Sequence, residues 1–259
     1  MVSGRIKILK DVFLNVFSNE EYKFSYVVET ANWSIKQDGY YIASFLNKKR
    51  LLKSRVTTTC LGLRDQIIHF GSVNTFLQKS NFKKCHKSNR LLLTWFHTIP
   101  EDNRNNLIKT AQRDLAFIHT SCNFTRKSLI DLGVDPGKII VIPLGVDLNL
   151  FSPTSLEEKQ KIKREIGISL NRVIIGSFQK DGIGWGRGEK PKLIKGPDVF
   201  IKVVERLARD NSVFVLLVGP ARGYVENELK RKKIAFKNIG YLSDFKKLAY
   251  YYKALDLYF

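Results

Sequence analysis

Short apolar runs alternate with segments of helical periodicity along the whole chain, and this alternation limits the fold more than any other feature. Helical patterns lie between several of the runs, for example at residues 40–53 and 123–133. Six runs rich in β-branched or aromatic residues are typical of buried strands: residues 23–29, 55–60, 66–70, 90–97, 115–120 and 138–144. Strands that alternate with helices predict an α/β protein with parallel sheets.

A polar segment, residues 149–171, interrupts this alternation and is the predicted connection between two domains, residues 1–150 and 151–259. The alternation then resumes with strands at 172–178, 213–219 and 236–242 and helices at 197–210, 224–234 and 244–256. The final Leu-Tyr-Phe begins another strand. Since a Rossmann-like unit usually has about six strands, we expect the second domain to be incomplete in this sequence.

Composition excludes several classes of protein. No window approaches the roughly 18 apolar residues of a spanning helix, and residues 1–13 lack the apolar core of a secretory signal, so we expect a cytoplasmic protein. Cys60, Cys85 and Cys122 lie far apart without a CxxC pair, which indicates reduced thiols. Neither HExxH nor an Asp-x-Asp pair is present, so no metal is expected.

The net charge of +20 divides evenly, because residues 1–150 and 151–259 each carry 22 Lys and Arg against 12 Asp and Glu. Such an excess attracts nucleic acid, anionic membranes or phosphorylated small molecules. Nucleic acid is the least expected partner, since neither a helix-turn-helix nor an RNP-like motif is present. Two basic clusters lie beside aromatic residues: Lys48, Lys49, Arg50, Lys53, Arg55 and Lys79, Lys83, Lys84, Lys87, Arg90. They are consistent with a solvated face or with peripheral attachment to an anionic membrane.

The most informative segment, residues 176–198, follows a predicted strand and precedes a predicted helix. It contains six glycines (176, 182, 184, 186, 188 and 196) and five cations (Lys180, Arg187, Lys190, Lys192 and Lys195). Glycines allow backbone N–H groups to approach a ligand, and lysines there suit phosphate, although a flexible solvated loop has the same composition. The Gly-Lys-Ser/Thr of a Walker A motif is absent.

The helix predicted from Pro197 has a cation, Lys195, immediately before it. The N–H groups at a helix N-terminus carry partial positive charge, so a lysine there is unfavourable unless an anion lies between the two. The sequence therefore predicts an anion site at this helix start.

Other candidate residues follow predicted strands, where ligands bind in open α/β sheets. His97 could exchange a proton with a ligand or be structural, and Asp147 could bind a hydroxyl or, as we favour from the residue alone, hold its loop. Glycine turns at Gly219 and within residues 238–244 are expected to form one rim with the glycine-rich segment, across which a nucleotide could lie.

Residues 115–259 carry a set of motifs whose order and spacing resemble those of family 4 glycosyltransferases. They include "SCNFTRKSLIDLGVDPGKIIVIPLGVDLNLFSP", "KLIKGPDVFIKVVERLA", "VFVLLVGP" and "FKNIGYLSDFKKLAYYYKALDLYF". The resemblance implies a GT-B fold with two Rossmann-like parallel-sheet domains. It also implies transfer of a sugar from a nucleoside-diphosphate sugar with retention, usually without a metal, with the acceptor on the first domain and the donor mainly on the second.

The resemblance also assigns roles to individual residues. Lys195 and Gly196 match the Lys-Gly at the diphosphate, and Lys180 stands where an arginine is more common. His97 matches the histidine near the reacting sugar, and Gly145 and Asp147 match the "GVD" before the domain crossing. The remaining candidates are Gly219, Ile239, Tyr241 and Leu242 on the donor side and Asp38 and Gly39 in the first βα loop.

Two departures from the family pattern affect these expectations. The first βα loop has one glycine, Gly39, where the family has a pair. The glutamate motif and the C-terminal helix expected after Phe259 are missing, so the resemblance implies a truncated chain. The expected function is sugar transfer to a glycan or glycolipid acceptor in surface polysaccharide synthesis; the alternative is a non-catalytic nucleotide-sugar-binding or adaptor module.

Overall fold

The structure, a computed structural model, describes residues 2–31, 34–184 and 186–259. The chain divides into two compact units, residues 1–145 and 146–259. The division falls five residues before the predicted domain boundary at residues 150/151.

The first unit is built on a six-stranded sheet in the order β2-β1-β3-β4-β5-β6, in which every pair of neighbours is parallel. Its strands are β1 (Phe24–Val27), β2 (Ser54–Thr57), β3 (Ile67–Phe70), β4 (Arg90–Thr94), β5 (Leu115–Thr120) and β6 (Ile139–Val141). Its helices are α1 (Val2–Phe17), α2 (Ser34–Lys48), α3 (Val73–Phe76), α4 (Asn105–Ala111) and α5 (Asn123–Asp131), with a 3-10 turn at Pro136–Lys138.

The second unit has a four-stranded parallel sheet in the order β10-β7-β8-β9. Its strands are β7 (Val173–Phe178), β8 (Val213–Val218), β9 (Phe236–Asn238) and β10 (Leu257–Tyr258). Its helices are α6 (Leu156–Glu165), α7 (Pro197–Asp210), α8 (Gly223–Arg231) and α9 (Phe245–Lys253), with a 3-10 turn at Leu193–Lys195.

The predicted α/β class with two parallel sheets is confirmed, and each predicted strand is present in the predicted order. Burial of β-branched and aromatic side chains explains these strands. In the second unit, for example, Val215 and Leu217 of β8 pack against Phe200 and Val204 of α7, which are four residues apart and therefore on one face of that helix. Strand β6 is less buried than predicted because it lies at the sheet edge, where Ile140 is exposed.

Two helices differ from the sequence-based expectation. Helix α1 was not among the predicted helices. Helix α2 begins at Ser34, six residues before the predicted start at Tyr40, because Gly39 is accommodated inside the helix. In the part of the chain that the structure describes, no helix is long and apolar enough to cross a bilayer.

Candidate functional site

The glycine-rich segment after β7 folds back on itself as a closed hairpin. The N–H of Ile183 donates to the carbonyl of Lys190 (2.9 Å), and the N–H of Lys192 donates to the carbonyl of Asp181 (2.7 Å). Trp185 of this segment lies outside the described residues. These hydrogen bonds give the segment a defined path, which a solvated loop would not have.

Two of the glycines allow this hairpin to lie directly against the start of α8. A Cβ on Gly182 would lie 2.4 Å from the carbonyl oxygen of Ala221, and a Cβ on Gly188 would lie 2.3 Å from it. The N–H of Gly223 donates to the carbonyl of Arg187 (2.7 Å), and that of Tyr224 donates to Gly188 (2.9 Å). Only glycine permits backbones to approach this closely.

A buried ion pair lies beneath the hairpin. The Nη2 of Arg222 lies 3.1 Å from Oδ2 of Asp181, and the two side chains are 0% and 1% exposed. Arg222 also donates from Nη2 to the hydroxyl of Ser177 (3.0 Å) and from Nη1 to the carbonyl of Gln179. The guanidinium therefore joins the end of β7 to the first residues of the hairpin.

Burial and the charge of the partner shift the pKa of each member of this pair in opposite directions. Burial raises the pKa of Asp181 to about 6, and the nearby Arg222 opposes this shift. Burial also lowers the pKa of Arg222, with Asp181 opposing that shift. Among the described side chains, both carboxylate oxygens of Asp181 and Nε of Arg222 are buried without a hydrogen bond, so the pair depends on charge attraction.

The loops after β7, β8 and β9 meet at the carboxyl edge of the second sheet. The N–H of Gly219 donates to the carbonyl of Gly240 (2.9 Å). A Cβ on Gly219, whose φ is +118°, would lie 2.8 Å from the carbonyl oxygen of Gln179. The three glycine turns therefore form one rim, as the sequence predicted; the role of that rim in donor binding stays a prediction.

Lys195 and Gly196 lie at the start of α7, next to this rim. Gly196 is the cap of the helix with φ of +63°, and it offers no side-chain acceptor to the first N–H groups. The side chain of Lys195 is exposed, and its carbonyl accepts a hydrogen bond from Gln179 Nε2 (3.4 Å). An acidic residue, Asp198, lies in the first turn and supplies some negative charge itself. The first N–H groups of α7 thus have no side-chain cap and an exposed lysine beside them, an arrangement that suits an anion.

The other donor-side candidates lie in the loop after β9. The predicted strand 236–242 ends at Asn238, because Gly240 turns the chain with φ of +79° and donates its N–H to the Asn238 side chain (2.8 Å). Ile239 packs on the core, Leu242 is half-buried and Tyr241 is exposed. Lys180, which follows Gln179, is half-buried.

In the first unit, His97 lies three residues beyond β4 with its side chain exposed. Its carbonyl accepts a hydrogen bond from Trp95 Nε1 (3.1 Å), and Thr125 donates to the carbonyl of Phe96 (3.1 Å). The backbone of this loop is therefore held in place while the imidazole faces solvent.

Asp38 and Gly39 were predicted to lie in a loop, but they lie inside α2. Asn32 and Trp33, which begin the predicted loop, lie outside the described residues. A Cβ on Gly39 would lie 2.6 Å from Cδ1 of Tyr26, so the glycine allows α2 to pack on β1. Asp38 is half-buried, and burial raises the pKa of its carboxyl.

A chain of polar side chains that sequence reasoning missed crosses the first sheet near Asp38. His119 Nε2 lies 2.9 Å from the carbonyl of Ile142, so that nitrogen donates. In the neutral ring Nδ1 then accepts from the Thr94 hydroxyl (3.1 Å), which leaves Thr94 to accept from His69 Nε2 (2.7 Å). Burial lowers the pKa of His69 to about 3, which keeps it neutral. The only sequence signal was the placement of these polar residues in otherwise apolar strands.

Gly145 and Asp147 fall in different units. A Cβ on Gly145 would meet no atom within 4 Å. The Asp147 carboxylate accepts from the N–H of Asn149 (3.0 Å), and its carbonyl accepts from Phe151 (2.8 Å). Asp147 therefore holds its own turn, the role favoured from the residue alone. Among the described residues, no group of three or more His, Cys, Asp or Glu could hold a metal ion.

Comparisons with known proteins show which folds this chain is similar to. No family model matches the chain. Over 105 residues, which are 39% of this chain and 23% of the relative's length, it is 29% identical to a D-inositol 3-phosphate glycosyltransferase of Corynebacterium jeikeium. The matched segment thus spans less than a quarter of that relative.

Two solved structures are similar over most of the chain. Anabaena HepE in complex with UDP and glucose has a TM-score of 0.64 at 14% identity, covering 92% of this chain and 73% of HepE. WaaG, a glycosyltransferase involved in lipopolysaccharide biosynthesis, has a TM-score of 0.55 at 11% identity, covering 91% of this chain and 74% of WaaG. The resemblance to glycosyltransferases and the two-sheet GT-B fold that it implied are confirmed.

Proposed function

We propose that this protein transfers a sugar from a nucleoside-diphosphate sugar to an acceptor hydroxyl. The observation that carries the proposal is the rim of three glycine turns beside the open start of α7, with Lys195 exposed next to it. A diphosphate satisfies both charge features of that site, since its oxygens accept from helix N–H groups and pair with an ammonium. The binding of UDP and UDP-glucose by HepE supports a donor of this class.

In the proposed reaction the bond between the anomeric carbon and the diphosphate oxygen breaks, and the acceptor oxygen bonds to that carbon. The diphosphate leaves with the bonding electrons, and its freed oxygen takes the proton that the acceptor hydroxyl loses. Lys195, Lys180 and the N–H groups of α7 would stabilise the negative charge on the leaving group, in place of a metal ion. We propose retention at the anomeric carbon, with His97 near the reacting sugar.

On the acceptor side, we propose a glycan or glycolipid bound by the first unit and a cytoplasmic role in surface polysaccharide synthesis. Support comes from the role of WaaG in lipopolysaccharide biosynthesis. A Cβ on Gly39 would lie 3.1 Å from the side chain of Val28, which directly follows β1. Gly39 and its neighbour Asp38 therefore lie near the carboxyl edge of the first sheet, the edge at which open α/β sheets bind ligands.

The test is to incubate the 259-residue chain with a panel of UDP-sugars and lipid-linked acceptors, and to follow UDP release and product configuration by NMR. UDP release that depends on acceptor and gives a retained anomeric configuration is expected. Binding of UDP without transfer would favour the non-catalytic nucleotide-sugar module, and failure to bind any nucleoside diphosphate would contradict the proposal.

A further inference from the structure

Helix α1 packs on the first unit through its polar side. The Asp11 carboxylate accepts from both the N–H (2.8 Å) and the hydroxyl (2.7 Å) of Thr58. The amide of Asn15 donates to the carbonyls of Leu61 (2.9 Å) and Thr59 (3.2 Å). These contacts hold the helix against the segment that leaves the carboxyl end of β2.

The opposite side of α1 is apolar and exposed. Ile6, Leu9, Phe13 and Phe17 are separated by three or four residues, so they form one stripe along the helix. Their exposed fractions lie between 60% and 68%. In a surface helix such a stripe normally packs on the core, whereas in α1 it faces solvent and the polar side packs on the protein. An apolar stripe of this kind marks an interaction surface.

The charges around the stripe are positive. At 100° per residue, Arg5 borders the stripe on one side and Lys10 borders it on the other, and both are exposed. The acidic residue of α1, Asp11, lies on the packed side. The acidic residues that follow the helix are paired, Glu20 with Lys53 and Glu21 with Lys23. The surface is therefore complementary to a negatively charged apolar layer.

We propose that α1 docks in the plane of an anionic lipid bilayer, with Ile6, Leu9, Phe13 and Phe17 among the acyl chains and Arg5 and Lys10 among the lipid phosphates. An apolar stripe bordered by basic residues is the pattern of interfacial helices, and the net charge of +20 adds long-range attraction.

Three residues of the basic clusters found in the sequence already have partners within the protein. Of those clusters, Lys53 and Lys84 pair with Glu20 and Asp114, and Arg55 stacks on Tyr22 with its guanidinium carbon 4.5 Å from the ring centre. These side chains already have partners within the protein, whereas the apolar stripe of α1 has no equivalent cover among the described residues.

The docking surface lies at the edge of the sheet where ligands are expected. Thr58, which α1 contacts, directly follows β2, so α1 lies at the carboxyl edge of the first sheet. This inference does not rest on the proposed function; if both hold, the bilayer would present a lipid-linked acceptor at that same edge.

The test is flotation of the whole chain with two kinds of vesicle, phosphatidylcholine alone and phosphatidylcholine with 30% phosphatidylglycerol, at low and high salt. The parent should float with the anionic vesicles at low salt only. The double variant Leu9→Ser/Phe13→Ser should bind at least about tenfold more weakly, since these apolar side chains lose their burial in lipid. Arg5→Gln/Lys10→Gln should lose about fivefold per charge removed.

The matched control is Leu156→Ser, because Leu156 of α6 is 71% exposed and Leu9 is 68% exposed. This variant should float like the parent, and circular dichroism should show that all variants are folded. Equal binding of the Leu9→Ser/Phe13→Ser variant and the parent would overturn the proposal. Concentration-dependent dimerisation lost in that variant, without vesicle binding, would overturn it in favour of a second copy of this chain.

Discussion

Replacing Arg222 by leucine should destabilise the second unit, because it leaves the Asp181 carboxylate buried without its counter-charge. The two side chains are 0% and 1% exposed and 3.1 Å apart. Breaking a buried pair of this kind costs about 3–5 kcal/mol. The variant also loses the donors to Ser177 and Gln179 that fix the start of the hairpin.

The loss should depend on pH. Burial holds the pKa of Asp181 at about 6 in the parent despite Arg222, and removal of the guanidinium should raise it further. A raised carboxyl pKa means that the folded state keeps its proton while the unfolded state has lost it, so stability falls as pH rises. Above pH 6 Asp181 of the folded parent is ionised, so the parent loses no further stability. In the variant this carboxyl keeps its proton to higher pH, so the variant continues to lose stability. The difference should therefore grow by about 1.4 kcal/mol between pH 5 and pH 7, one pKa unit being worth about that amount.

Hydrogen exchange of the β7 and β8 amides, corrected for intrinsic rates, measures this local free energy at both pH values. The control is Arg231→Leu at the other end of α8: Arg231 is 65% exposed, so loss of its pair with Glu228 should have little effect. The double variant Arg222→Leu/Asp181→Leu should recover much of the loss, because neither charge is then buried alone. Unchanged protection in Arg222→Leu, or an equal loss at pH 5 and pH 7, would refute the reasoning.

Two glycine substitutions test close packing elsewhere. Gly39→Ala places a Cβ 2.6 Å from Tyr26 and should lower the stability of the first unit to thermal unfolding by about 1–3 kcal/mol. The control Gly145→Ala, whose Cβ meets nothing within 4 Å, should not, and equal melting temperatures of the two variants would contradict the packing. Gly219→Ala, at φ of +118° and 2.8 Å from the Gln179 carbonyl, should weaken UDP binding in calorimetry, and unchanged affinity would contradict a role for that turn.

The positions of the strands along the chain and the start of α7 could be predicted from the sequence because both depend on local signals. Runs of β-branched and aromatic residues form strands wherever they are buried, and Pro197 fixes the first residue of its helix. The glycines of the rim were likewise recognisable, because their positions directly follow strands.

Features that depend on distant partners could not be predicted. Asp181 and Arg222 are 41 residues apart in the sequence and pair only because the hairpin lies on α8. Gly39 is typical of a loop in the sequence, and only its close contact with Tyr26 explains why a glycine lies inside α2. The orientation of α1 depends on Thr58, whose hydrogen bonds to Asp11 hold the polar side of the helix against the protein and leave the apolar side exposed.

The most direct test of the central claim is the affinity of the chain for UDP, measured by calorimetry in the parent, in Lys195→Ala and in Lys202→Ala. Lys202 is an exposed lysine of α7 and controls for the loss of one positive charge. We predict that Lys195→Ala binds UDP at least about tenfold more weakly, since a charge-assisted contact contributes about 1.5–3 kcal/mol, and that Lys202→Ala binds like the parent. Equal affinity of all three proteins, or no binding by the parent, would contradict a diphosphate site at the start of α7.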